Sequence, residues 1–207
     1  MTLVPPFTDD AIRRMAEECL REHHPENTIP VPIDEIVELK FKMDVIPSNN
    51  LRANHDVDGY IARDGQTIYI DSEVYGRKNQ SRCRFTLAHE LAHIRLHPRV
   101  FRAATYTDVA GWIEFVKSIP SEQLRTIETQ ARVMAGYLLV PRDHFQREYE
   151  RMAELLASHN FDITSTNDAV FKRVLARMGE TFQVSPAVIA RQGAREGVWG
   201  WDEFPDD

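Results

Sequence analysis

Three histidines and a glutamate crowd one short run of the chain, RFTLAHELAHIRLH, residues 84–97. Within it His89, Glu90 and His93 form an H-E-x-x-H pattern. On a helix that pattern has a chemical meaning. Residues four apart lie one turn apart, about 6 Å along the axis, so two imidazoles can reach a single metal ion. Glu90 stands about 100° round from His89, bordering the ion without having to ligate it, which is the place a general base needs. His97 shares the histidine face but lies about 12 Å along the axis from His89, too far for both to bind one ion. His97 is therefore expected at the helix C-terminus or on the substrate side. The longer metzincin pattern does not apply, because Leu96 and Arg99 stand where its glycine and third histidine would be.

Two histidines leave a catalytic Zn2+ site one protein ligand short. The best source is PSEQLRTIETQARVMAGYLLVP, residues 120–141, read as a helix capped by Ser121 and stopped by Pro141. Leu124, Ile127, Ala131, Met134, Ala135 and Leu138 make its apolar stripe, and Glu128 sits at the edge of it. A carboxylate there is partly desolvated, which is unfavourable unless a positive group meets it. A zinc ion on His89 and His93 is such a group. Ala131, Ala135 and Gly136 are small enough to let this helix approach the histidine helix closely. Glu114 and Glu122 are weaker candidates, since Glu122 suits the positive end of its own helix.

These residues need elements to hold them. In the histidine helix, Ser81 is placed to cap and Pro98 to end it, with Cys83, Leu87, Leu91 and Ile94 facing a core. Arg84 and Arg95 fall on a third sector, expected to be wet. Upstream, FTDDAIRRMAEECLREHHP reads as a helix capped by Thr8 and stopped by Pro25, and VPIDEIVELK as a second, shorter one. KMDVIP reads as a strand, and GYIARDGQTIYID as a β-hairpin with a two-residue turn at Asp64-Gly65. Helical patterns follow at about 80–97, 121–139, 142–158 and 168–195, the last with a break. The fold class is α+β: a small antiparallel or mixed sheet with a hairpin, packed on a mainly helical body.

Composition narrows the setting. The chain has 207 residues, a formal charge of -7 and 43% hydrophobic residues, which suits a soluble globular protein rather than one built to grip phosphate backbones. Two cysteines, Cys19 and Cys83, make no disulfide framework. The start, MTLVPPFTDD, lacks the basic and apolar regions of a secretory signal, and no apolar run is long enough to span a bilayer. A cytoplasmic protein is expected. Near the C-terminus, Ser185 and Pro186 open a helix that could complete a helix-turn-helix-like pair. The acidic ending WDEFPDD argues against direct DNA binding.

Taken in order, RFTLAHELAHIRLH and then IETQARVMAGYLLVP resemble the ImmA/IrrE family of zinc metallopeptidases. Its members show R-F-T-x-A-H-E-x-x-H followed by E-x-x-A-N-x-F-A-x-x-L-L-x-P, with G-Y-I and I-x-I strand pieces upstream, similar to Gly59-Tyr60-Ile61 and Ile68-Tyr69-Ile70. The resemblance covers roughly residues 30–145. It implies a gluzincin-like minimal peptidase in which His89, His93 and Glu128 bind zinc and Glu90 is catalytic. It also implies a protein substrate, a helix-turn-helix repressor of the Xre type, in a stress-response, mobile-element or toxin–antitoxin setting. Arg132 and Met134 replace the usual asparagine and phenylalanine, and the stretch 94–127 is longer than the family spacing. Residues 1–145 are expected to form the peptidase domain and 146–207 a C-terminal helical extension. Two other readings stand beside this one: a non-proteolytic zinc protein acting as an anti-repressor or toxin–antitoxin partner, and a DNA-binding regulator acting through its C-terminal helices.

Overall fold

Helix α1 (Asp9–His23) starts where Thr8 Oγ1 accepts from the Ala11 N–H at 3.2 Å, with Asp9 and Asp10 in its positive first turn. It buries Ile12, Ala16, Cys19 and Leu20. The computed structural model describes residues 7–76, 80–102, 106–161, 163 and 168–199. The acidic ending WDEFPDD lies wholly outside these residues. The expected second helix forms as a short α2 (Ile33–Glu35) that widens into a π-helical turn, Ile36–Lys40, with Ile36 and Val37 buried.

The sheet among the described residues has three strands: β1 (Asp44–Ser48), β2 (Gly59–Ile61) and β3 (Thr67–Asp71). Strand β3 is central, parallel to β1 and antiparallel to β2, so the sheet is mixed. Two short helices flank it, α3 (Leu51–His55) and α4 (Ser72–Tyr75). The hairpin connection is longer than the expected two-residue turn. The Ala62 N–H closes on Thr67 O at 2.8 Å, leaving residues 63–66 as the loop. The Asp64 carboxylate accepts from the Gln66 and Thr67 N–H groups and from Thr67 Oγ1, all within 2.9 Å, beside a backbone turn in which the Gly65 N–H donates to Ala62 O at 3.0 Å. Gly65 adopts φ +67°, where glycine carries no steric cost.

The body consists of α5 (Gln80–Leu96), α6 (Pro98–Arg102), α7 (Val109–Ser118), α8 (Ser121–Leu139), α9 (Arg142–Ala157), α10 (Asp168–Phe182) and α11 (Pro186–Arg195). Helices α5 and α8 pack along each other at the centre, with α1 and α11 against α8 and the sheet against α5. Because neighbours surround it, α5 is buried on more sides than an amphipathic reading expects. Arg84, assigned to a wet sector, is buried and donates to Val31 O at 2.7 Å and Gln183 O at 3.2 Å. It ties two distant loops to the start of the central helix. Ser81 lies inside the first turn of α5, and the N-cap of α8 is Pro120, with no side-chain cap bond, so neither serine plays its expected part. Gly136 faces α11 instead of α5: a Cβ there would lie 3.3 Å from Arg195. The close approach of α5 and α8 rests on Ala88, Ala92, Ala131 and Ala135, all fully buried.

The C-terminal helices complete the same core. Phe182, Ile189 and Ala190 belong to the cluster that holds Ile12, Leu91 and Leu138. Helix α11 begins at Pro186 as expected, and buries Val188, Ile189, Ala190, Gln192, Gly193 and Ala194. It is a core-filling helix. Among the described residues no helix is long and apolar enough to cross a membrane.

Candidate metal centre

The facing turns of α5 and α8 bring three side chains to one point. His89 Nε2 and His93 Nε2 are 2.9 Å apart. Glu128 places Oε2 at 3.2 Å from His89 Nε2 and Oε1 at 3.5 Å from His93 Nε2. Donor atoms around a tetrahedral zinc ion, with bonds of 2.0–2.2 Å, sit roughly 3.3–3.5 Å from one another. The two imidazole nitrogens and one carboxylate therefore match the donor types and nearly the spacing of such an ion. All three could hold a metal.

The far nitrogens of the two histidines differ. His93 Nδ1 lies 3.4 Å from His97 Nδ1, and His97 Nε2 lies 2.8 Å from Gln130 Oε1 on α8. His97 sits at the C-terminus of α5 as expected, its N–H donating to His93 O at 2.8 Å, and its side chain is buried behind His93. Helix α5 ends at Leu96 and α6 begins at Pro98, with His97 between them. His89 Nδ1 is buried with no hydrogen-bond partner among the described residues. Gln130 has no counterpart in the sequence reading. Its one signal is its place two residues after Glu128 on a helix facing the histidines.

Electrostatics sort the ionisable groups. Burial raises the Glu128 carboxyl, but its hydrogen bond to His89 and the nearby His93 outweigh this and hold it at about 2. Burial lowers the His89 imidazole, and the carboxylates of Glu128 and Glu90 reverse that, for a net rise. His93 is driven well below its ordinary value by burial, with His89 acting in the same direction. His97 is lowered by burial too, partly offset by Gln130, and stays neutral near pH 7. Glu90 is buried, and desolvation carries its carboxyl up to about 7, against the pull of His89 and with a push from Glu128. A carboxylate poised at that value both takes and returns a proton at neutral pH.

Tyr106 is a buried tyrosine whose hydroxyl feels Glu90. Burial is the main cause of its raised value, and Glu90 adds to it. Its O–H donates to Ile61 O at 2.6 Å, an edge carbonyl of β2. Tyr137 faces Asp9, Arg13 and Glu196 on the other side of α8. Helix α7, between α5 and α8 in sequence, was not foreseen. Asp108 caps it through the Gly111 N–H at 2.8 Å, and Trp112 lies 5.4 Å from Tyr60 of β2.

A model of the Peptidase M78 family, the IrrE N-terminal-like domain, matches residues 42–192. The chain belongs to that family. The IrrE N-terminal-like match supports a metallopeptidase in general, and it runs through α9 and α10 into α11, beyond the stretch the motifs cover. No curated protein matches the chain. Among solved structures, a Mycobacterium tuberculosis transcriptional regulator is similar, with a TM-score of 0.55 and 13% identity over 91% of this chain and 47% of that one. The likeness is one of fold, and the chain spans about half of that regulator's length.

Proposed function

We propose that the protein is a zinc-dependent endopeptidase in which His89, His93 and Glu128 bind the metal and Glu90 is the catalytic base. The observation that carries this is the meeting of two Nε2 atoms and one carboxylate within 3.5 Å, with a buried glutamate beside them. Bound there, zinc supplies Lewis acidity and lowers the pKa of water towards about 7. Glu90 accepts a proton from the attacking water and returns it to the amine that leaves, so its two protonation states must lie close in energy. In the metal-free protein burial raises the Glu90 carboxyl, which favours proton uptake there.

The substrate in this proposal is a helix-turn-helix repressor of the Xre type, cut in the cytoplasm to release stress-response, mobile-element or toxin–antitoxin genes. Family membership supports a protein substrate. Residues 1–145 then hold the chemistry and residues 146–207 form a helical extension that closes the core behind it. The test is co-incubation of the protein with the regulator encoded beside its gene, with and without zinc. Cleavage by the wild type with zinc, and none by zinc-loaded Glu90→Gln, is the expected result. Cleavage by that variant contradicts the mechanism. A biological effect that survives Glu90→Gln favours the binding-protein reading.

A further inference from the structure

We infer that His97 and Gln130 are positioning residues, a two-step hydrogen-bond relay that fixes the tautomer of His93 so that its Nε2 presents a lone pair to the metal. The inference rests on the metal-centre reading above and follows from counting protons. A glutamine Oε1 can only accept, so at 2.8 Å His97 Nε2 must donate to Gln130. A neutral imidazole carries one N–H, which leaves His97 Nδ1 as an acceptor. The facing atom, 3.4 Å away, is His93 Nδ1, which must then carry the proton. His93 Nε2 is left bare, and it is the atom aimed at His89 and Glu128.

The opposite sense of the chain fails chemically. With the amide reversed, His97 would accept at Nε2 and donate at Nδ1, and His93 would carry its proton on Nε2, where it cannot ligate. One direction of the relay is therefore compatible with a metal centre. Burial of His93, His97 and Gln130 keeps water from replacing any link. Metal-binding histidines ordinarily have their second nitrogen held by a carboxylate, carbonyl or water. Here a second histidine and an amide do this for His93, while His89 Nδ1 has no partner among the described residues. The orientation of the pair thus depends on the His93 side.

The test is zinc affinity by competition with a chromophoric chelator, read with the ring-nitrogen NMR of the full chain. Expected for the metal-free wild type is a His93 ring protonated at Nδ1 and bare at Nε2. Gln130→Leu, close in size and unable to accept, should weaken zinc binding by about 10- to 100-fold and mix the His93 tautomers, as should His97→Phe. His97→Gln, whose amide both accepts and donates, should recover most of the loss. Thermal melting separates a folding defect from a ligand defect, and if His97→Phe does not fold, Gln130→Leu decides. Unchanged zinc affinity in folded Gln130→Leu, or a His93 ring protonated at Nε2 in the wild type, overturns the relay. A wild type that takes up no zinc overturns the metal-centre reading instead, and the tautomer of the metal-free protein still decides the relay.

Discussion

Glu128 of α8 reaches across to His89 of α5, with Oε2 at 3.2 Å from Nε2, although α6 and α7 intervene in the chain. The carboxylate is two-thirds buried, with His93 as well as His89 at its oxygens. Without a positive partner such burial is costly, and the approach of the two helices on their alanines places the histidines where that partner would be bound.

The first prediction follows from this pairing. On the proposed ligand set, Glu128→Ala removes one of three protein donors and should lower zinc affinity by at least about 100-fold, since three-ligand sites have no spare donor. The variant should stay folded, because the core of α8 is made by Ile127, Ala131, Met134 and Leu138. Metal content after dialysis, beside a far-UV spectrum, checks both parts. Full zinc retention would move the third ligand elsewhere.

A second prediction concerns the sheet that backs α5. A Cβ on Gly59 would meet Thr86 Cγ2 at 2.8 Å and Tyr69 O at 3.0 Å. Gly59→Ala should therefore push β2 off the helix and destabilise the protein by about 1–3 kcal/mol. Adding Thr86→Ser removes the offending methyl while keeping the hydroxyl that donates to Arg82 O, and should restore part of the loss. Denaturant melts of the single and double variants measure it. A double variant no better than Gly59→Ala would mean that the clash lies with the backbone of Tyr69.

The third prediction is one of pH. Glu148 of α9 accepts from Arg151, and from Thr181 Oγ1 of α10 at 3.0 Å. The Arg151 hydrogen bonds outweigh burial and hold its carboxyl below the usual 4.5. A group lowered on folding contributes stability that is complete above its unfolded value and is lost as pH falls through its folded value. The stability gap between wild type and Glu148→Gln should thus be constant above pH 5 and close below about 4.5. Melts at a series of pH values show it; a gap that widens in acid would contradict the assignment.

How far the sequence carried this reading depended on whether an interaction repeats along one element or crosses between two. The H-E-x-x-H spacing and the stripe around Glu128 are local, and the structure brings those residues together. Thr8, Pro141 and Pro186 mark helix ends through chemistry confined to one turn. Arg84 was placed wrongly because its partners, Val31 and Gln183, are remote in the chain and no helical period reveals them. The role of His97 was hidden for the same reason: its link to Gln130 joins α5 to α8. Helix α7 escaped because Gly111 and its mix of β-branched and aromatic residues give little helical signal, while its ring contacts, Trp112 to Tyr60 and Phe115 to Tyr106, are tertiary.

The central claim, a zinc ion held by His89, His93 and Glu128, is tested most directly by X-ray absorption at the zinc edge of the loaded protein. The account predicts a first shell of nitrogen and oxygen at about 2.0–2.2 Å, with two imidazole signatures that drop to one in His93→Ala. A shell containing sulfur at about 2.3 Å, or two imidazoles persisting in that variant, would contradict it.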